Sequence, residues 1–186
     1  SASSDALGGQ NVGPQQFADF FRSVEERLKS LPGVSSVSVT SALPLSGGAP
    51  STGLKIEGRP EEPGRAPMGR IHAVGVDYFR TLGIPLHKGR EFTARDDLNA
   101  PPVLIVNETL ARTMWPDGQP IERLLIVNDQ PHRVVGVVKD AQFRSGADKP
   151  EPFLYLPYWQ NLLGAQVDAT FVARVNGNPE TMLPIL

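Results

Sequence analysis

Val74-Gly75-Val76-Asp77-Tyr78-Phe79-Arg80-Thr81-Leu82-Gly83-Ile84-Pro85-Leu86-His87-Lys88-Gly89-Arg90-Glu91-Phe92 holds a strand end, a short helix, a turn and a second extended piece in one run. Asp77 is placed to cap the helix by accepting hydrogen bonds from first-turn N–H groups that lack partners. Phe79 and Leu82 stand one turn apart and predict a single buried face. Gly83 then supplies the positive φ of a chain reversal, and Pro85 keeps the helix from resuming. A capped helix, a glycine stop and a turn in one run are compatible with any α+β domain and single out none. Nothing in the stretch is a reactive constellation.

Toward the N-terminus, residues 1–13 are polar and Gly-rich without periodicity and read as a flexible lead-in. Pro14 suits a first helical turn. Phe17, Phe20, Phe21, Val24 and Leu28 follow at three- and four-residue spacing, with Asp19, Arg22, Glu25 and Glu26 on the other side. So regular a stripe of phenylalanines is a packing face rather than a ligand groove. Leu31-Pro32-Gly33 stops the helix, and residues 34–40 alternate Val with Ser as a half-exposed strand does. Leu43-Pro44-Leu45-Ser46-Gly47-Gly48-Ala49-Pro50 is too broken for regular structure, and its two leucines either fold back on the body or meet a partner. Residues 54–57 and 68–76 read as strands joined by a linker at 60–67.

Toward the C-terminus, Thr93 and Asp96 have the spacing of a capping box. Val103-Leu104-Ile105-Val106, bounded by chain breakers, is a buried strand. Asn107 caps the next helix, Leu110 and Met114 face inward, and Trp115-Pro116-Asp117-Gly118 ends it in a turn. Residues 124–127 and 133–138 flank Asn128-Asp129-Gln130-Pro131 and predict a hairpin. Residues 152–156 and 170–175 are two further strands. Asn178 with Pro179 opens a helix still running at Leu186, as though the domain continued.

Composition narrows function mainly by exclusion. The 186 residues can bury a core; at 40% hydrophobic and 20% charged they are globular, and 18 Gly with 18 Pro argue against a helical bundle. A net charge of -2 with scattered basic residues gives no attraction to phosphate backbones, so nucleic acid is not expected as a partner. The absence of Cys removes disulfides, thiolate metal sites and cysteine nucleophiles. No apolar run approaches the ~20 residues that span a bilayer, and no basic-then-apolar leader is present, which predicts a chain soluble as given.

Motif-like features fail on context. Gly8-Gly9-Gln10-Asn11-Val12-Gly13 follows no strand and lacks the Lys-Ser/Thr ending of a phosphate loop. Ser46 precedes two glycines but sits in an irregular loop with no positioned His, unlike a nucleophile elbow. His72, His87 and His132 are far apart, with no i, i+4 pair. Asp96 and Asp97 are adjacent and point apart, so capping and solvation account for them. Asn107-Glu108-Thr109 fits a glycosylation acceptor, but a capping role already occupies Asn107. No catalytic residue, cofactor site or metal site is expected.

Taken in order, another set of motifs is more informative. Leu31-Pro32-Gly33-Val34, Leu43-Pro44-Leu45-Ser46-Gly47, Tyr78-Phe79, Leu82-Gly83-Ile84, Gly89-Arg90-Glu91-Phe92, Val106-Asn107-Glu108-Thr109-Leu110-Ala111, Trp115-Pro116, Val134-Val135-Gly136-Val137-Val138-Lys139-Asp140 and Tyr155-Leu156-Pro157-Tyr158 resemble the MacB-like periplasmic core domain. That domain is the extracytoplasmic module of FtsX-type ABC transporter permeases, and the chain looks most like the permeases abundant in acidobacteria. The likeness runs from about Phe17 to the end. One departure is Pro120-Ile121-Glu122, where relatives usually have Pro-Ile-Gly; it sets a positive-φ turn there in question and predicts a shifted register in the next strand.

The resemblance implies a non-enzymatic domain on the periplasmic or extracytoplasmic side of the membrane, set between the first two transmembrane helices of a permease. Its partners would be those helices, a separate cytoplasmic ATPase domain acting indirectly, and a periplasmic partner protein. The fold implied is α+β, with mixed or antiparallel sheets and a few helices, in two lobes, a porter-like one from about 14–60 with 150–186 and an inserted one from about 61–149, hinged at broken segments such as 59–67. Tyr78, Phe79, Gly83, Gly89, Arg90, Asn107, Trp115, Pro116, Gly136, Asp140, Tyr155 and Pro157 carry the motifs, and their expected work is structural. Arg90 is expected to tie the lobes through an ion pair or a carbonyl contact. The function implied is coupling of helix motion to substrate handling or partner contact; the rival readings are a small-molecule or peptide binding module with a cleft between lobes, and a hydrolase using Ser46 or the histidines.

Overall fold

A computed structural model of the chain describes residues 14–42, 49–58, 67–141, 150–160 and 169–177. The elements in order are α1 (Pro14–Lys29), β1 (Val34–Thr40), β2 (Ser51–Ile56), β3 (Met68–Val74), α2 (Tyr78–Leu82), β4 (Leu86–Gly89), β5 (Val103–Asn107), α3 (Glu108–Met114), β6 (Leu124–Val127), β7 (Gln130–Val138), β8 (Phe153–Pro157), a single 3-10 turn (Tyr158–Gln160) and β9 (Thr170–Val175). The α+β expectation holds: three helices accompany one large mixed sheet. The lead-in, the loop with Leu43, Leu45 and Ser46, the hinge segment 59–66 and the helix expected from Asn178 lie outside the described residues.

The sheet runs β2-β6-β7-β5-β8-β3-β1-β9, with β4 on β7 and an added pairing of β2 with β3. That added pairing closes the first six strands into a ring. β2 achieves it by dividing its length, residues 51–53 pairing with β3 and residues 54–56 with β6. β1 and β9 extend the ring as an antiparallel pair from Val34↔Val175 to Thr40↔Thr170, and β1 meets β3 at Thr40↔Val74. Strand pairing thus crosses the sequence positions 60/61 and 149/150: β2 pairs with β6, and β3 with both β1 and β8.

β5 and β8 are apolar at nearly every position because both faces are covered. Leu104, Val106, Leu154 and Leu156 join Leu54, Leu125 and Val127 beneath α3, while Val103, Ile105, Phe153 and Tyr155 join Tyr78, Phe79 and Phe92 beneath α2. In β7, a register shift opposite Leu104 and Ile105 inserts an extra residue, so Val134 and Val137 face the α3 side and Val135 and Val138 the α2 side. A third cluster of Ala18, Phe21, Ala73, Tyr158 and Trp159 lies under α1. Burial of an aromatic such as Phe79 or Phe153 contributes about 1.5–3 kcal/mol each.

Several expectations need correction. Asp77 adopts left-handed backbone (φ 65°) and makes no side-chain cap; its carboxylate instead lies 3.6 Å from Lys29 of α1. β1 is not half exposed: α1 and α2 both pack on it, so Ser36, Ser38 and Thr40 are as buried as its valines. On α1 the inward face is Ala18, Phe21 and Glu25, with the Glu25 carboxylate 2.9 Å from Lys29, while Phe20 stays exposed. The Phe17 side chain lies outside the described residues. Thr93 and Asp96 close a turn through Thr93 N–H to Asp96 Oδ2 (2.8 Å), but no helix follows. The hairpin loop shortens to Asn128 and Asp129, both at positive φ, the geometry that suits the twist of a two-residue connection. Finally, the positive-φ turn near residue 122 is kept without a glycine: Glu122 itself takes φ 66°, its N–H donates to the Val134 carbonyl (2.9 Å), and β6 pairs with β7 in unbroken register.

Candidate functional site: a groove between α3 and β4

The motif residues gather into two neighbourhoods. The first is the aromatic packing under α2. Tyr78 and Phe79 are fully buried and meet Tyr155, whose ring stands edge-on to Phe79 at 4.9 Å between centroids. Burial pushes the Tyr155 hydroxyl well above its ordinary pKa, with Tyr78 and Asp140 adding to the effect, so the ring stays neutral. Gly83 ends α2 at φ 71°, and the Arg174 guanidinium lies where a Cβ would be, 2.8 Å away. Pro157 pairs with Val74 at the end of β8. Beside this neighbourhood, Gly89 faces Gly136 across the β4–β7 pair; a Cβ on Gly89 would strike the Val135 carbonyl and one on Gly136 the Arg90 carbonyl.

Arg90 does form an ion pair, but not between the proposed lobes. Its guanidinium grips Asp96, six residues on, through two bonds of 2.8 and 2.9 Å. Burial works to raise the Asp96 pKa, yet the bonds from Arg90 and from Thr93 outweigh it and hold the carboxyl below its ordinary value. The Arg90 backbone N–H donates to Val135, so the residue fastens the segment after β4 to β7 and to its own turn.

The second neighbourhood mounts α3. Asn107 is buried and bonded at both ends of its amide: Oδ1 accepts from Leu110 N–H (2.9 Å) and Phe153 N–H (3.0 Å), and Nδ2 donates to the Glu151 carbonyl (2.8 Å). That geometry caps the helix and fixes β5 to β8, and burial of the side chain leaves no room for a glycan. Asp140 accepts from the Thr109 N–H and hydroxyl (2.9 and 2.8 Å) and from Arg112 (3.2 Å). Trp115 is buried against Leu110 and Met114, and a turn closed by Gly118 N–H to the Trp115 carbonyl (2.9 Å) follows.

Between this helix and β4 lies a groove of about 460 Å³, lined by His87, Lys88, Glu108, Ala111, Arg112, Trp115, Pro116, Gly118, Pro120 and Val137. It sits entirely within residues 87–137, not between the lobes expected from the sequence. Glu108 is the electrostatic centre of its rim: Lys139 lies 2.8 Å from Oε1 and His87 3.6 Å. The rim charges were in plain view in the sequence. Apart from His87, which stands out there only as one of three scattered histidines, they carry no signal, because an edge strand with every residue exposed has no periodicity.

The described residues bring no two of the three histidines together. Among the described residues no group of three or more His, Asp or Glu side chains could hold a metal, and no helix is long and apolar enough to cross a membrane. His72 and His132 are buried in different parts of the sheet, His87 sits on the groove rim, and Ser46 lies outside the described residues.

Comparison with known proteins agrees with the motif reading. A region of the macrolide export ATP-binding/permease protein MacB of Mannheimia succiniciproducens is 30% identical over 88 residues, 47% of this chain and 13% of that protein. An uncharacterized ABC transporter permease of Bacillus subtilis, YvrN, is 30% identical over 91 residues, 47% of this chain and 22% of that protein. This chain therefore spans less than a quarter of either relative. Among solved structures, the periplasmic region of MacB from Actinobacillus actinomycetemcomitans superposes with a TM-score of 0.64 at 19% identity, covering 88% of this chain and 69% of that one. The extracellular domain of the transporter YknZ from Gram-positive bacteria gives 0.60 at 16% identity, covering 86% and 74%. These likenesses speak for the fold, and the family profile of the MacB-like periplasmic core domain matches residues 2–181, so the chain belongs to that family, the extracytoplasmic domain of ABC transporter permeases.

Proposed function

We propose that the domain couples movement of permease transmembrane helices to substrate handling or partner contact, without chemistry of its own. The observation that carries this reading is the pairing of β1 with β9. These strands, one following α1 and the other the last described strand, are hydrogen-bonded along their length at the rim of a sheet in which six other strands close into a ring. A membrane helix joined before α1 and another joined after β9 would load a single edge. Interior packing is stiff, so such a load moves the body as a unit and does not dissipate within it. ATP would be hydrolysed by a separate cytoplasmic domain.

The test uses the full-length permease with its ATPase in nanodiscs. A spin label at the exposed position Thr113 reports its distance to the membrane surface with and without ATP. A flexible Gly-Ser segment of about ten residues, inserted before α1 or after Gly177, slackens the connection. Coupling requires that the ATP-dependent distance change vanish in the insertion variants while the domain keeps its thermal stability. A change of the same size with the slack connection would refute the reading.

A further inference from the structure

We propose that the groove between α3 and β4 binds a small organic anion, its acid group held by Lys88 and its apolar body lying along Ala111, Trp115 and Val137. The volume, about 460 Å³, lies in the range of small-molecule sites. Its lining joins the apolar Ala111, Trp115, Pro116, Pro120 and Val137 to a few charged or polar side chains, the mixture such sites use.

The sign of the ligand follows from how the rim charges are already matched. Glu108 is paired with Lys139 at 2.8 Å and has the His87 ring at 3.6 Å, and Arg112 is held by Asp140 at 3.2 Å. Lys88 differs. Its ammonium donates to the Gly118 carbonyl at 3.1 Å, and no carboxylate among the described residues stands within ion-pair distance of it. A neutral carbonyl satisfies one of three N–H donors and none of the charge. The rim therefore carries one cation in excess, at the mouth of an apolar groove. A ligand with a single acid group cancels that excess, and a cationic ligand would meet Lys88, Arg112 and Lys139 together. A carboxylate and a phosphate monoester share this chemistry and are separated by the probes below.

The site rests on its own geometry and is independent of the coupling role, so either can fail alone. Binding is measured on this chain by two-dimensional amide NMR and by indole fluorescence. The probes share one body: phenylbutanoate, phenylpropyl phosphate, phenylbutanol and phenylbutylamine. The acids are expected to bind with Kd on the order of a millimolar and to shift the amides of residues 86–88, 108–112 and 115–118. The stronger of the two acids identifies the head group. The alcohol is expected to bind about tenfold more weakly and the amine more weakly still. Lys88→Gln, on an exposed strand, should weaken the acids about tenfold and leave the alcohol unchanged, whereas Ala111→Leu, which fills the groove, should weaken acids and alcohol alike. The proposal is overturned if the amine binds as well as the acids, if Lys88→Gln leaves acid affinity unaltered, or if no probe shifts the groove amides.

Discussion

Replacing Gly136 with alanine tests whether β4 is held to the sheet by the absence of two side chains. Gly136 and Gly89 are direct partners in the β4–β7 pair. A methyl group on Gly136 would collide with the Arg90 carbonyl oxygen and come within 3.1 Å of Ile105 Cγ1. The obstacle is backbone rather than the tip of a flexible side chain, so the cost belongs at the top of the usual ~1–3 kcal/mol for overpacking. Against this stands about 0.5–1 kcal/mol gained when the unfolded chain loses glycine's freedom. The net is a loss of about 2 kcal/mol, or roughly 4–8 °C in Tm for a chain of this size.

Three other glycines calibrate the number. Gly53 lies in β2 with open space around it and ordinary φ, so Gly53→Ala should be neutral or gain about 0.5 kcal/mol. Gly118 has open space but φ 76°, so Gly118→Ala bears only the left-handed backbone penalty, about 1–2 kcal/mol before the same entropic offset. Gly89 combines φ 75° with a collision at the Val135 carbonyl and should be the worst of the four. Urea titrations followed by circular dichroism, with an unchanged m-value, give the comparison. The reasoning is refuted if Gly136→Ala lies within about 0.5 kcal/mol of the parent, a difference the titration resolves, or if Gly53→Ala costs more than Gly136→Ala.

Two further outcomes follow from the same geometry. Glu122 holds φ 66° on the surface, so Glu122→Gly relieves left-handed strain; made in an Arg133→Gln background, where its exposed ion pair is already gone, it should stabilise by about 0.5–1 kcal/mol in urea titration, and a destabilisation would show that the backbone there is not strained. His72 is buried against Phe153 and Tyr155, and burial, aided by the positive charge of Arg70, pushes its pKa down to about 4. The unfolded ring therefore takes up a proton near pH 6.5 that the folded ring refuses until about pH 4. Stability should decline as pH falls through that window, by up to about 3 kcal/mol, and the decline should level off below it. Subtracting the pH profile of His72→Phe from that of the parent isolates the effect; identical slopes would remove it.

How much was legible in the sequence depended on whether a signal was local. Gly83 as a helix stop, Asn107 as a cap and the 124–138 hairpin were all readable, because the residue types that adopt those conformations are few. β1 misled, since alternating Val and Ser looks half exposed until α1 and α2 are both known to cover it. Asp77 misled for a related reason. Its type suggested a cap, but Lys29, nearly fifty positions earlier, supplies a charge partner that no local rule could show. Glu122 is the converse: a missing glycine implied a lost turn, and the backbone kept the turn with the wrong residue. The groove could not have been found from periodicity. His87, Lys88, Glu108 and Arg112 come from an exposed strand and the outer side of a short helix, where polar residues are expected anyway.

The stretch around α2 is the place where the fold bears most directly on coupling. From α1, Lys29 reaches Asp77 just before the helix; from β9, the Arg174 Nε donates to the Thr81 carbonyl at 3.0 Å and its guanidinium covers Gly83. The opposite side of the same helix sends Tyr78 and Phe79 into Tyr155 and Phe92. Thus the elements flanking the chain ends clasp α2 at both termini, and α2 in turn is seated in the core beside the closed ring. A displacement of α1 or β9 has several routes inward: the β1–β3 pairing at Thr40↔Val74, the packing of α1 on Ala73, Tyr158 and Trp159, and this five-residue helix. The strand route is narrow. The helix route rests on the buried Tyr78, Phe79 and Thr81 and on a glycine whose missing side chain leaves room for Arg174. If force is passed from α1 and β9 to the ring, α2 is the element that both of them grip.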